Sequence, residues 1–388
     1  MVVFKKLTLF VFTLLFFISY LFVLPHNIYA ITNPLDFPNN KIGVHILFPS
    51  EIYNAAKLVN GNGGEWGYVV IPIQAKDRDM KKWQKFMTDA KNLRVVPIIR
   101  IATAGEYFNT AVWQKPTNYD LMDFANFLNS LDWPTKNRYV VVFNEPNRSD
   151  EWGGSINASE YAKILDYAIE IFKAKSEDFF IISAGFDNAS SNIPGQSINQ
   201  YIFIKQMNTA VAEIFNKVDG IASHSYPNPG FKQPPYTPTP KNIYSFKYEQ
   251  DLIYSLSGRR LPIFITETGW SSKEKDSDTI SNYWQYALSN VWTDDNIVAI
   301  TPFLLEANGM FSEFTLLSSG RETNIYSVIK DFSKTKGSPQ ISDSKDLSAQ
   351  HVSSSMTYRS DSSPKEYNDA PKINLKQLGK IVRWMLKI

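Results

Sequence analysis

Between Lys41 and Phe303 the chain repeatedly switches hydrophobic period, and this constrains its fold more than any other feature. Eight short, β-rich apolar runs (41–47, 67–73, 94–100, 138–143, 178–184, 218–223, 262–266 and 297–303) are separated by longer stretches of different pattern. The runs are nearly continuous in apolar character, as in strands buried on both faces of a parallel sheet. Tyr119 to Leu131, Ser159 to Ala174 and Thr279 to Trp292 instead carry apolar residues at helical spacing. Eight such alternations predict an α/β fold, a (β/α)8 TIM barrel, which needs about 250 residues plus insertions. An open doubly wound sheet is the competitor, but no strand-to-helix turn carries G-x-G-x-x-G or a phosphate loop.

The flanks differ from this core. Lys5 and Lys6 precede an apolar run from Leu7 to Leu24, followed by Pro25 and Ala30, so residues 1–30 read as a signal peptide or a membrane anchor. Either reading places the rest of the chain outside the cytoplasm, secreted or membrane-anchored. The barrel domain is expected over 31–332. Residues 333–373 are rich in Ser, Lys and Asp and predict a disordered linker. In 374–388, Leu375, Leu378, Val382 and Met385 lie opposite Lys376, Lys380, Arg383 and Lys387. That pattern is a basic amphipathic helix, suited either to membrane association or to docking on the barrel.

Composition removes several function classes. With 0 Cys there is no disulfide, thiol nucleophile or thiolate metal site. The 4 His fall at 26, 45, 224 and 351, two of them outside the expected barrel, too few for a multi-His zinc site. No metal and no cofactor are therefore expected. A formal charge of +2 argues against a nucleic-acid partner. Aromatics reach 14%, which serves barrel packing and also the flat apolar faces on which sugars stack.

The chemistry is expected at strand ends, because barrel active sites lie at the C-terminal face of the strands. The fourth run ends in Phe143-Asn144-Glu145-Pro146 and the seventh in Ile265-Thr266-Glu267-Thr268. An acidic residue thus closes a continuous apolar run twice in one sheet, and a charge there needs water, a partner or a substrate. Two facing carboxyls are the equipment for cleaving a glycosidic bond: one protonates the leaving oxygen, the other attacks or activates water. Their separation, which divides retention from inversion, is not readable from the sequence.

Asn144-Glu145-Pro146 after strand four, His224-Ser225-Tyr226-Pro227 after strand six and Glu267 after strand seven, in this order, resemble clan A of the glycoside hydrolases over about residues 41–330. The resemblance implies a retaining β-glycosidase acting on an oligo- or polysaccharide, with Glu145 as acid/base and Glu267 as nucleophile. It further implies that Asn144 reaches the sugar 2-hydroxyl, that Tyr226 steadies the nucleophile and that His224 lines the same subsite. In that reading a less polar setting keeps Glu145 protonated. Arg100 is the best match to the clan's arginine beside the nucleophile, although it ends strand three where many members use strand two. The clan's strand-eight tryptophan is missing, with Phe303 in its place. His45 at the end of strand one, Trp152 and Trp270 after the catalytic strands, and Glu306 after strand eight complete the expected sugar-binding set. A non-catalytic carbohydrate-binding protein on a degenerate barrel is the alternative.

Overall fold

The computed structural model describes residues 31–103, 112–307 and 309–342. The expectations for 1–30 and for the helix at 374–388 lie outside the described residues. Eight parallel strands form one sheet in sequential order: β1 (Gly43–His45), β2 (Gly67–Gln74), β3 (Val95–Ala102), β4 (Arg138–Val142), β5 (Phe179–Ser183), β6 (Gly220–His224), β7 (Ile263–Thr268) and β8 (Ile297–Pro302). The last strand returns to the first. Ile42 bridges Ile300, Ile300 N–H donates to the Lys41 carbonyl at 2.8 Å, and Leu305 N–H donates to that of His45 at 2.9 Å. An unreversed strand order with closing bonds is a barrel, and it excludes the doubly wound sheet.

Helices cover the outside: α1 (Ile52–Val59), α2 (Met80–Asn92), α3 (Asn118–Asn129), α4 (Ala158–Lys175), α5 (Gln200–Ala210), α6 (Ile214–Lys217), α7 (Ser245–Ser257), α8 (Ser277–Tyr286) and α9 (Asn324–Asp331). Side-chain caps fix where several begin. Asp79, Asn157 and Asp276 accept backbone N–H bonds at the starts of α2, α4 and α8. Thr117 and Asp120 cap α3 reciprocally. Each cap satisfies donors that a helix start otherwise leaves open, and it sets how far the preceding loop reaches over the barrel mouth.

The apolar residues divide into two cores by strand parity. Tyr68, Val70, Val96, Ile98, Tyr139, Val141, Phe180, Ile182, Ala222 and Phe264 fill the barrel interior. The alternate residues, with the inward faces of the helices, form the larger outer layer. Parity carries Arg100 inward from Val96 and Ile98, and His224 and Tyr226 inward from Ala222. Strict parity would turn Glu267 outward with Ile263 and Ile265. Instead the pairing shifts, so that Ser223 faces Ile265 while His224 faces Glu267. Thr266 is the extra residue, and this β-bulge points Glu267 into the barrel mouth.

Residues 333–342 correct the domain boundary expected at 332. They bind the bottom of the barrel: Gly337 N–H donates to Glu65 at 2.9 Å, Ser338 N–H to Pro38 at 2.8 Å, and Lys136 N–H to Gln340 at 2.9 Å. This strap, with residues 32–39, closes the barrel end opposite the mouth around Trp66, Tyr68 and Tyr139. The remainder of the expected linker lies outside the described residues.

Candidate active site

Glu145, His224 and Glu267 meet at the barrel mouth, all buried, with one side-chain ligand atom from each within 4.8 Å of the others. The backbone of Glu145 lies in the left-handed region, as does Phe143 two residues earlier, so the chain leaves β4 abruptly. Glu145 N–H donates to the Gly185 carbonyl at 3.0 Å, tying this turn to the end of β5. Gly185 is needed for a second reason. A Cβ there would stand 2.2 Å from the His224 ring, so no larger residue leaves the imidazole its place.

The Glu145 carboxyl is held at both oxygens. His224 Nδ1 lies 2.8 Å from Oε1, and Arg148 Nη1 donates to Oε2 at 3.0 Å. Arg148 is itself gripped by Asp150, through Nη2 at 2.7 Å and Nε at 3.1 Å, with Asp187 at 4.0 Å. Burial pushes the Glu145 pKa up, but the His224 hydrogen bond and the positive charges of Arg148, His224 and Arg100 outweigh it and hold the group below the ordinary glutamate range. This corrects the expectation of a weakly polar setting that keeps Glu145 protonated. Conversely, burial opposes a charge on His224, yet Glu267 and Glu145 raise its pKa. The proton of this pair therefore rests on the imidazole side.

Glu267 has different partners. The Tyr226 hydroxyl donates to Oε2 at 3.0 Å, and Arg100 Nη1 donates to Oε1 at 3.4 Å. Burial and the two neighbouring carboxyls drive the Tyr226 pKa well above its usual value, so the phenol stays a donor. Arg100 also hydrogen-bonds the Asn144 side chain, which links the loop after β4 to the nucleophile side of the pocket. His45 Nδ1 stands 3.7 Å from Glu267 Oε1, and the ring packs edge-on against Phe303 at 5.2 Å. Burial, Arg100 and His224 hold the His45 pKa well below its normal value, so this imidazole is neutral. Phe303, Phe314, Phe231 and Tyr226 continue as an aromatic group beside Glu267.

Other expected residues are placed elsewhere. Trp152 is 0% exposed, packed between Phe143 and Tyr161, with its indole N–H bonded to Glu160. Trp270 is 2% exposed, within a cluster of Tyr283, Trp284 and Trp292, and donates to the Gln233 carbonyl. Both rings are structural, and the expectation of sugar-stacking faces is corrected: neighbouring elements cover them. Glu306 sits in the loop after β8, bridged to Leu317, beside Glu51, whose carboxyl is pushed up to about 7 by burial and the Glu306 charge.

Sequence reasoning passed over Arg148, Gly185, Asp187 and Glu151. Glu151, beside this cluster, is raised to about 8, chiefly by burial. Only the spacing Glu145-Pro146-Asn147-Arg148 offered a signal, because three residues suffice for a turn; Arg148 N–H donates back to the Glu145 carbonyl at 3.0 Å. The donor set of Glu145, His224 and Glu267 resembles a metal site in size, but Arg148 and Arg100 already bring positive charge to both carboxylates.

Residues 97–328 match the family model described as glycosyl hydrolase catalytic core, and the chain belongs to that family. No curated protein matches the sequence. Among solved structures, a family 39 glycoside hydrolase from the gut symbiont Bacteroides cellulosilyticus WH2 is similar with a TM-score of 0.51 at 18% identity, over 78% of this chain and 65% of that one. This chain thus spans 65% of that protein's length. A GH128 endo-β-1,3-glucanase from Sorangium cellulosum gives a TM-score of 0.51 at 14% identity, over 77% of this chain and 99% of its own. An endo-β-1,4-glucanase from Xanthomonas axonopodis pv. citri gives 0.50 at 14% identity, over 75% and 97%. At these identities the likeness is one of fold.

Proposed function

We propose that the chain hydrolyses a β-linked glycan with retention of configuration, with Glu267 as nucleophile and Glu145 as acid/base. One observation carries the reading: carboxylate oxygens of the two residues lie within 4.8 Å across one pocket. Retaining pairs stand about 5–5.5 Å apart, whereas inverting pairs need about 6.5–9.5 Å to admit a water. In the first step a Glu267 oxygen attacks the anomeric carbon. The leaving oxygen takes the proton shared by Glu145 Oε1 and His224 Nδ1. Tyr226 and Arg100 hold the Glu267 carboxylate in line, and Asn144, bonded by Arg100, would meet the sugar's 2-hydroxyl. In the second step water attacks the glycosyl–Glu267 ester, Glu145 takes the water's proton, and the Glu267 carboxylate is released. The fold's likeness to endo-β-1,3- and endo-β-1,4-glucanases favours an oligo- or polysaccharide as substrate. The apolar run from Leu7 to Leu24 favours an extracytoplasmic enzyme, secreted or anchored, which cell fractionation tests.

The decisive experiment is Glu267→Ala on an aryl β-glycoside. Turnover should be lost, and azide should restore it with a glycosyl azide of inverted anomeric configuration. Full activity without azide would remove Glu267 from this role. In parallel, Glu145→Ala should spare substrates with good leaving groups far more than those with poor ones.

A further inference from the structure

Arg148 has no part in the two-step scheme above, yet it is a permanent cation set directly on the group that must change protonation twice. Its Nη1 meets Glu145 Oε2 at 3.0 Å, on the oxygen that His224 leaves open. Its other nitrogens are clamped by both oxygens of Asp150, a paired geometry that fixes the plane of the guanidinium. The backbone turn from Glu145 to Arg148 holds the two residues together without a long loop. Asn147 fastens this turn, donating to the carbonyls of Asp187 and Ile198 and accepting from Asp187 N–H.

We propose that Arg148 is a positioning residue that keeps Glu145 ionised and so serves the second half of the reaction. This rests on the acid/base reading of Glu145. In that half, water oxygen bonds to the anomeric carbon, the bond from carbon to the Glu267 oxygen breaks, and Glu145 accepts the water's proton. A carboxylate already charged and aimed by Arg148 is ready to do so. In the first half the same cation lowers the fraction of enzyme in which Glu145 carries a proton, so it trades protonated population early for ionised population later.

The charged and titratable groups facing Glu145 come from five sides. Arg100 lies on β3; Arg148, Asp150 and Glu151 follow β4; Asp187 follows β5; His224 and Tyr226 end β6; Glu267 ends β7. Arg100 and His224 also act on Glu267, whereas Arg148 pairs with acids of the Glu145 side: Glu145, Asp150 and Asp187. Removing its charge should therefore raise the Glu145 pKa, along with those of Glu151 and Asp187, since the anions around it remain.

The test uses Arg148→Met and Arg148→Gln, with Arg148→Lys as the charge-retaining control. In the inactive Glu267→Gln background, the carboxyl carbon of Glu145 is followed by 13C NMR and assigned as the resonance lost on Glu145→Gln. Its titration midpoint should rise by about one unit or more in the two neutral variants, and stay near the parent value in Arg148→Lys. In otherwise intact enzyme, the alkaline limb of kcat/KM should move up in the neutral variants. Rapid-quench analysis with a good leaving group, run at a pH close to the raised midpoint, should show more glycosyl-enzyme accumulating than in the parent, because less of Glu145 is ionised to accept the water's proton. A merely structural Arg148 would lower activity without moving the limb or the NMR midpoint, and that result overturns the proposal. Should neither neutral variant fold, a Glu145 midpoint above the ordinary glutamate range in the Arg148-containing protein overturns it equally. Full activity of Glu145→Ala would instead sink the acid/base reading, and the NMR shift would then decide the Arg148 coupling separately.

Discussion

At the scale of single residues, the hydroxyl of Tyr226 has a separable job. The ring packs at 5.0 Å from Phe231 and 6.0 Å from Phe314, and the oxygen alone meets Glu267. Tyr226→Phe keeps the packing and deletes the donor. The expected outcome is a fall in kcat of roughly 100- to 1,000-fold, the range for one aligned donor in a dry site, with Tm nearly unchanged, read from steady-state kinetics and thermal melts on one preparation. The residues at this pocket were legible in the sequence to the extent that strand ends are. Glu145, Glu267, His224 and Arg100 are polar residues closing apolar runs, and such a residue must lie at the rim of the sheet. Trp152 and Trp270 were not legible, because whether an indole face stays open depends on Tyr161, Trp284 and Trp292, which arrive from elsewhere in the chain. Arg148 was hidden for the opposite reason. A charged residue in a loop looks solvated until the turn brings it back onto its neighbour.

At the scale of elements, β6 shows how a strand is held in the register the site needs. Outward from the bulge, Ser223 bonds Glu249 of α7 at 3.1 Å and Ser225 at 2.8 Å, and Ser225 bonds Ser245 at 3.0 Å. Thr268 of β7 closes the group by donating to the Ser225 carbonyl at 2.7 Å. Burial raises Glu249 from its ordinary 4.5 to about 7. A raised carboxyl binds its proton more tightly in the folded chain than in the unfolded one. Its contribution is therefore complete at low pH and is lost as pH climbs from 4.5 through 7, by roughly 3 kcal/mol in all. Glu249→Gln keeps the shape and cannot ionise, so its unfolding free energy should decline less over that window than that of the parent, as urea melts at several pH values would register. An equal decline in both proteins would show that Glu249 is not the titrating group. The eight strands could be read from hydrophobic period, because parallel strands buried on both faces leave a continuous apolar signature; their sequential order rested also on the lack of a phosphate-binding turn, which set the doubly wound sheet aside. The bulge at Thr266 could not, since an extra residue in a strand alters pairing without altering composition. It is that extra residue that sends Glu267 inward.

At the scale of the whole molecule, catalysis and closure occupy opposite ends of the barrel. The mouth carries the carboxyl pair; the other end is sealed by residues 32–39 and the strap at 333–342, which exchange bonds with each other and with the loops entering β2 and β4. Thr32 N–H donates to Asn137 Oδ1 at 3.1 Å, and Asn137 Nδ2 donates to the Thr32 carbonyl at 2.7 Å and to the Tyr139 hydroxyl at 3.1 Å. The composition of the strap, polar and serine-rich, reads as a linker because its contacts are backbone bonds and lysine side chains, Lys336 to Glu65 and Lys334 to the end of α9, rather than apolar packing. This separation predicts a dissociation of stability from activity. A chain ending at Phe332 loses the bonds of Gly337, Ser338 and Gln340 and bares the floor around Tyr68 and Tyr139, whereas a chain ending at Ser342 keeps them. With each backbone bond worth about 1 kcal/mol net, and about 2–4 °C of Tm per kcal/mol in a domain of this order, the shorter chain should melt roughly 5 °C or more below the longer one. At 25 °C, where both remain folded, their kcat/KM values on an aryl glycoside should agree. Equal melting temperatures would mean that the strap only rests on the barrel. A large loss of activity without a loss of stability would mean that the far end reaches the carboxyl pair after all.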